Sequence, residues 1–313
     1  MIPIKIENSK LNEIKLEYKE MVFKKIIDGR KNDINQKSQI ENICHIIDTQ
    51  LQEFKVTQSF DNIILADFRN LKKIKDVLDL HHNIFDAYKG KDSSEKYVKG
   101  SPFDSLYTTY DKLDNNWLIK RLGITVCPYC NRDFINNRGS STSAQLDHFY
   151  PRSKYPIFAL SLFNLIPSCY VCNHTKAQQE IDVSPYDEIF DFNGALELSY
   201  EPLSVDYLNN QDHIKVKVII KNEIIRRNIE LMKIDKAYEL HTDYVQELIR
   251  KAKLYDKVKI EEYLRVYSDL FYSKEEILRI IFGNYIQEKD HGKRPLAKLT
   301  VNILKELGID LGC

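Results

Sequence analysis

The sequence predicts a mainly α protein with a small α+β insert between helical N- and C-terminal regions. Apolar residues recur at helical spacing over both outer stretches. Gly and Pro are few, 10 and 9 in 313 residues. Four of the six cysteines form two C-x-x-C pairs, Cys127/Cys130 and Cys169/Cys172, near the middle of the chain. Three parts follow: a helical N-terminal domain over 1–118, a cysteine-bearing module over 119–195, and a β-hairpin plus helical C-terminal domain over 196–313.

The length allows two or three domains and a sizeable core. Lys+Arg and Asp+Glu balance at 46 each, so any nucleic-acid surface must be a local patch. No apolar run approaches the ~20 residues of a membrane span, and residues 1–7 lack the apolar core and cleavage site of a signal peptide. The expected location is cytoplasmic, with no membrane partner. Thiols stay reduced there, so cysteines at this spacing read as metal ligands rather than disulfides.

Taken in order, residues 9–30 place Leu11, Ile14, Tyr18, Val22 and Ile26 on one amphipathic helix. A polar turn over 31–36 precedes a second helix through Ile40, Ile43, Ile47, Leu51 and Phe54. Residues 67–82 read as a third, and 89–101 as a loop. A helix over 113–122 carries Trp117 and ends at Gly123. Beyond the cysteines, 185–194 reads as loop. Two β-rich segments, 196–200 and 214–220, can pair as a hairpin. A long helical pattern over 223–255 and further helices over 260–272, 274–287 and 296–307 complete the chain.

Two C-x-x-C knuckles can surround one Zn²⁺ tetrahedrally, and with all four positions filled by protein such a zinc is structural. The enclosed loop carries residues that a structural zinc does not require. Phosphodiester hydrolysis needs a base titrating near neutral pH, a divalent ion and charge stabilisation of the leaving oxygen. His148 suits the first task. Asp147 offers a hard oxygen ligand for Mg²⁺ or Mn²⁺. The two would face opposite sides of a strand, but a strand end or bulge lets both face one groove. Asn173, placed at the start of a helix after the second knuckle, can add a carbonyl oxygen, and Lys176 one turn later can reach a phosphate.

The order Cys-x-x-Cys, Asp147-His148 followed by Pro151, Asn164, then Cys-x-x-Cys-Asn-x-x-Lys resembles the HNH family of nucleases, the ββα-metal fold, in its four-cysteine zinc subclass. By that resemblance His148 is the general base, Asp147 and Asn173 hold the catalytic Mg²⁺ or Mn²⁺ that stabilises the departing 3′ oxygen, and Asn164 orders the loop that fixes the histidine. Asn rather than His stands at the third signature position, and His174 next door is the alternative ligand. The wording around residues 146–156 and 164–169 is similar to the HNH proteins of Septu-type defence systems and related retron cassettes. This implies an anti-phage effector nuclease working with an ABC- or SMC-type ATPase; HNH sites cut DNA more often than RNA, and the sequence itself leaves the substrate open. The competing reading is an inactive zinc-binding adaptor that holds nucleic acid or an ATPase without cutting.

Arg132, Arg138, Arg152 and Lys154 make the inserted loop basic and are candidate phosphate contacts, against a plain reading as a solvated loop. The basic stretch between Arg226 and Lys259 is interleaved with acids and reads as an exposed helix face. Residues 289–295 are compatible with nucleic acid or a protein partner. Cys44 and Cys313 read as packing or incidental residues, and the His81/His82 pair as solvated or packed.

Overall fold

The computed structural model describes residues 1–27, 36–53, 55–80, 106, 109–139 and 141–312, with backbone alone at 36–40, 42, 43, 50, 137 and 138. The loop expected over 89–101, the His81/His82 pair, Phe54 and Cys313 lie outside the described residues.

Helix α1 (Asn8–Ile27) buries Ile14, Tyr18, Val22 and Ile26, one stripe at four-residue spacing. Helix α2 (Gln36–Glu53) adds buried Ile47 and Leu51. Its Asp48 accepts from the Phe60 amide at 2.6 Å, serving the first turn of α3 (Phe60–Leu65), a helix the sequence did not announce. Helix α4 (Phe68–Asp79) starts where Asp67 caps the Asn70 amide and buries Phe68, Leu71, Ile74 and Leu78. Helix α5 (Asn115–Leu122) ends, as expected, at Gly123, whose φ of 71° closes the last turn.

The centre holds a minimal hairpin, β1 (Asn137–Arg138) with β2 (Ser141–Thr142). Strand β3 (Gln145–His148) then pairs antiparallel with β4 (Leu165–Ser168), Asp147 opposite Ile166 and His148 opposite Leu165. Helix α6 (Tyr170–Lys176) follows β4 directly, with Cys169 as its N-cap. The second knuckle is therefore the helix start, and Asn173 lies in the middle of α6 rather than at its beginning.

A short α7 (Phe192–Ala195) overlaps the end of the expected loop over 185–194. The expected hairpin forms from β5 (Leu196–Pro202) and β6 (Ile214–Ile220). The single long helix expected over 223–255 is instead α8 (Arg226–Leu231), α9 (Ile234–Tyr238) and α10 (Thr242–Leu254). The first of the two breaks falls at Lys233, with φ of 52°. At ~100° per residue, an unbroken helix would put Ile229 and Met232 on one face and Ile234 and Tyr238 on the other. All four are buried, so the chain must turn between the two pairs. Helices α11 (Lys257–Val266), α12 (Lys274–Phe282) and α13 (Ala297–Glu306) follow, α12 stopping at Gly283 with φ of 74°.

Buried apolar residues from Met1 to Leu311 form one cluster, so flanks and centre share a core. The flanks also grip the centre by hydrogen bonds: Ile2 N to Pro128 O at 2.9 Å, Tyr18 Oη to Leu160 O at 2.9 Å and Tyr238 Oη to Cys130 O at 2.7 Å. Among the described residues no helix is long and apolar enough to cross a membrane.

Candidate metal centre and active-site groove

Cys127, Cys130, Cys169 and Cys172 are all buried, and their sulfurs lie within 4.8 Å of one another. The Cys130 and Cys169 sulfurs are 4.0 Å apart. A tetrahedral zinc with Zn–S near 2.3 Å requires sulfurs about 3.8 Å apart, so the cluster is already the size of its ion. The amides of Arg132 and Cys172 each point to a knuckle sulfur at 3.4 Å. Asn131 makes the first turn possible by adopting φ of 52°, its amide donating to Cys127 O at 2.8 Å. Burial pushes the Cys127 thiol up, while contact with the other sulfurs pulls Cys130 down. Such sulfurs share protons until a dication replaces them. Cys44 stands apart, half-buried, its thiol raised to about 11 by burial.

Beside the cluster is a groove of about 280 Å³ lined by Tyr110, Asp147, His148, Arg152, Asn173 and Gln178, among others. His148 ends β3, partly exposed, with Nε2 3.0 Å from Ala159 O. A carbonyl can only accept, so Nε2 carries the proton and Nδ1 is left as the acceptor. The Tyr110 ring stands edge-on to the imidazole, centroids 4.3 Å apart. Burial pushes the imidazole down to about 3 against the raising effect of the Ala159 carbonyl, which keeps it neutral at pH 7.

Asp147 lines the same groove but is 2% exposed. Tyr129 Oη donates to its Oδ2 at 2.6 Å and Lys176 Nζ to its Oδ1 at 3.1 Å. Burial raises its carboxyl, and Lys176 and Tyr129 oppose the rise. Lys176 was expected to reach a phosphate. It is instead fully buried, its ammonium spent on Asp147 and on His148 O at 2.7 Å, because α6 packs directly on β3.

Asn173 donates from Nδ2 to Gln145 Oε1 at 2.5 Å, leaving its Oδ1 without a hydrogen-bond partner among the described residues. His174 is exposed, stacks on Tyr170 with centroids 5.6 Å apart, and lies outside the groove lining. Asn164 is wholly buried: Oδ1 accepts from Tyr150 N at 2.8 Å, and Nδ2 donates to Tyr150 O at 3.1 Å and Phe158 O at 3.0 Å.

Of the three basic candidates whose side chains are described, only Arg152 lines the groove, its guanidinium 2.9 Å from Asp111 Oδ1 and over the Tyr110 ring. Lys154 pairs with Glu180. Arg132 Nε donates to His241 Nε2 at 2.8 Å beside the first knuckle, away from the groove lining. The side chain of Arg138 lies outside what is described. Sequence reading missed Tyr129 and Tyr110. The first was marked by lying inside a C-x-x-C pair. The second carried no signal.

Residues 127–179 match the HNH endonuclease family model. With the four-cysteine cluster, the match fits an HNH zinc site and supports nuclease chemistry in this segment. No curated protein and no solved structure matches the chain.

Proposed function

We propose that this chain is an HNH endonuclease that hydrolyses phosphodiester bonds of nucleic acid, DNA in preference to RNA, through a ββα-metal module formed by β3, β4 and α6. The observation that carries the reading is the tethering of His148 Nε2 to the Ala159 carbonyl, which leaves Nδ1 as the basic atom in a groove shared with Asp147 and Asn173. In this reading Nδ1 takes a proton from the attacking water, and Asn164 fixes the loop that carries Ala159. Asp147 and Asn173 would hold Mg²⁺ or Mn²⁺, which when bound withdraws charge from the scissile phosphate and the leaving 3′ oxygen. Arg152 supplies a cation at the mouth, and Nδ1 accepts the proton as part of a neutral imidazole, a weaker base than the near-neutral one expected from the sequence because burial lowers it.

The His148→Ala protein is expected to cut ~10²- to 10⁴-fold more slowly while keeping its zinc and its nucleic-acid binding. Cleavage at the wild-type rate would sink the mechanism. Sequencing the products from mixed DNA and RNA with Mg²⁺ decides the substrate.

At the level of the cell we assign the protein to bacterial anti-phage defence of the Septu or retron type, beside an ABC- or SMC-type ATPase in the cytoplasm. Cutting belongs to 119–195, and control to the parts over 1–118 and 196–313. The support is the likeness of residues 146–156 and 164–169 to those HNH proteins, with flanks far larger than the chemistry needs. Co-purification from native neighbours tests it, and a fully active chain with no associated ATPase counts against it. The rival adaptor reading draws on the burial of Asp147 between Tyr129 and Lys176. It predicts no metal-dependent cleavage of any nucleic acid.

A further inference from the structure

Asp147 is gripped from two sides, and each grip comes from a different zinc knuckle. Tyr129 sits inside the first, between Cys127 and Cys130, with its ring buried and its hydroxyl 2.6 Å from Asp147 Oδ2. Lys176 sits four residues after Cys172, at the end of the helix that Cys169 caps. Its ammonium, equally buried, reaches Asp147 Oδ1 at 3.1 Å and His148 O at 2.7 Å. Each carboxylate oxygen therefore accepts one hydrogen bond, and each keeps a second lone pair.

With both oxygens tethered, the carboxylate cannot turn about its last bond, and its remaining lone pairs are fixed in direction. The two tethers keep their separation only while the knuckles keep theirs. A zinc bound among the four sulfurs would fix that separation.

We infer that Tyr129 and Lys176 are positioning residues that aim the Asp147 carboxylate at the catalytic cation, so that the four-cysteine zinc site sets how tightly the groove binds that cation. The inference rests on the nuclease reading above. Zinc then has two effects that separate in principle: it holds the fold, and it tunes a second metal through one buried tyrosine and one buried lysine. Partners of this kind around a metal ligand typically change metal affinity 10- to 100-fold when removed.

The test uses the full chain loaded with zinc, Mn²⁺ as the probe, and Tyr129→Phe, which deletes one hydroxyl and keeps the ring. Zinc content and melting temperature establish that the variant is folded. Mn²⁺ binding is measured by calorimetry without substrate, and cleavage is followed against Mn²⁺ concentration. The expected result is an Mn²⁺ Kd raised about tenfold, a matching rise in the Mn²⁺ concentration for half-maximal cleavage, and a rate at saturating Mn²⁺ close to wild type. A second arm leaves the sequence intact and replaces zinc by the larger Cd²⁺, which should also weaken Mn²⁺ binding, and which decides the matter if Tyr129→Phe does not fold. Unchanged Mn²⁺ affinity in the folded Tyr129→Phe protein, or in the Cd²⁺-loaded wild type where that variant does not fold, overturns the inference and leaves the nuclease reading standing. If Mn²⁺ binding by the wild type is the same after Asp147→Ala, the nuclease reading falls and takes the inference with it.

Discussion

Asn164 shows how one residue can carry a site it does not enter. Its three side-chain hydrogen bonds clamp Tyr150 to Phe158, and the next residue, Ala159, offers the carbonyl that holds His148. Asn164→Ala strands buried partners and should cost about 2–4 kcal/mol in a denaturant melt. Cleavage at a temperature where the variant stays folded should fall ~10- to 100-fold, because a slack loop no longer fixes the ring. Asp111 carries the opposite expectation. It occupies the guanidinium of Arg152 at the groove mouth, as a phosphate would. Asp111→Asn should loosen the hold on that guanidinium and tighten nucleic-acid binding a few-fold at low salt, an advantage that fades as salt is raised. Fluorescence anisotropy at two ionic strengths checks both parts.

At the scale of elements, α4 is fastened to the chain beyond α6 by a cluster of charges. Lys75 pairs with Asp79 and with Glu180, Lys154 pairs with Glu180, and Tyr155 Oη donates to Asp79 at 2.6 Å. Burial alone would raise both carboxyls, but the ammonium and hydroxyl partners outweigh it and hold both below their usual range. A depressed carboxyl stabilises the fold above its unfolded pKa, near 3.9 for Asp and 4.3 for Glu, and that contribution disappears as pH falls through the folded pKa. Melting temperatures taken from pH 7 to 3 should therefore drop more steeply for the wild type than for Glu180→Gln, which starts lower and lacks part of the acid-sensitive term.

Much at this scale is legible in the sequence. The two C-x-x-C pairs, the Asp147-His148 dipeptide, the Gly123 stop and the β5–β6 hairpin are local patterns that need no knowledge of the fold. The Lys176 contact was not legible, because Asp147 and Lys176 are 29 residues apart and a lysine near a candidate phosphate site reads as exposed. Nor was the break at Lys233, which no Gly or Pro marks and which only the burial of residues on opposite helical faces demands. Tyr110 reaches the histidine from the N-terminal helical region, and pattern alone does not report which distant ring will cover a site.

For the whole molecule, the four-cysteine cluster sits beside contacts between the knuckle turn and the C-terminal stretch. Asn131, inside the first knuckle turn, donates from Nδ2 to His291 O at 2.9 Å and accepts at its own carbonyl from Leu296 N at 2.6 Å. Its Oδ1 accepts from Lys298 N at 3.0 Å, at the start of α13. Stripping zinc with a strong chelator should thus loosen both parts together, lowering the melting temperature by about 10 °C or more. New proteolytic cuts should appear in α13 as well as around the knuckles. A chelated protein that melts at the wild-type temperature would contradict this.

The same asparagine limits how the protein can be dissected. A fragment ending near residue 195 retains the four clustered cysteines and every groove residue, so by motif alone it is a complete unit. It would nevertheless lose the partners of Asn131, a fully buried side chain held in a left-handed turn. The smallest portable form of this module must therefore reach past Lys298, and domain grafting that copies only the family-matched segment should yield insoluble or zinc-poor protein.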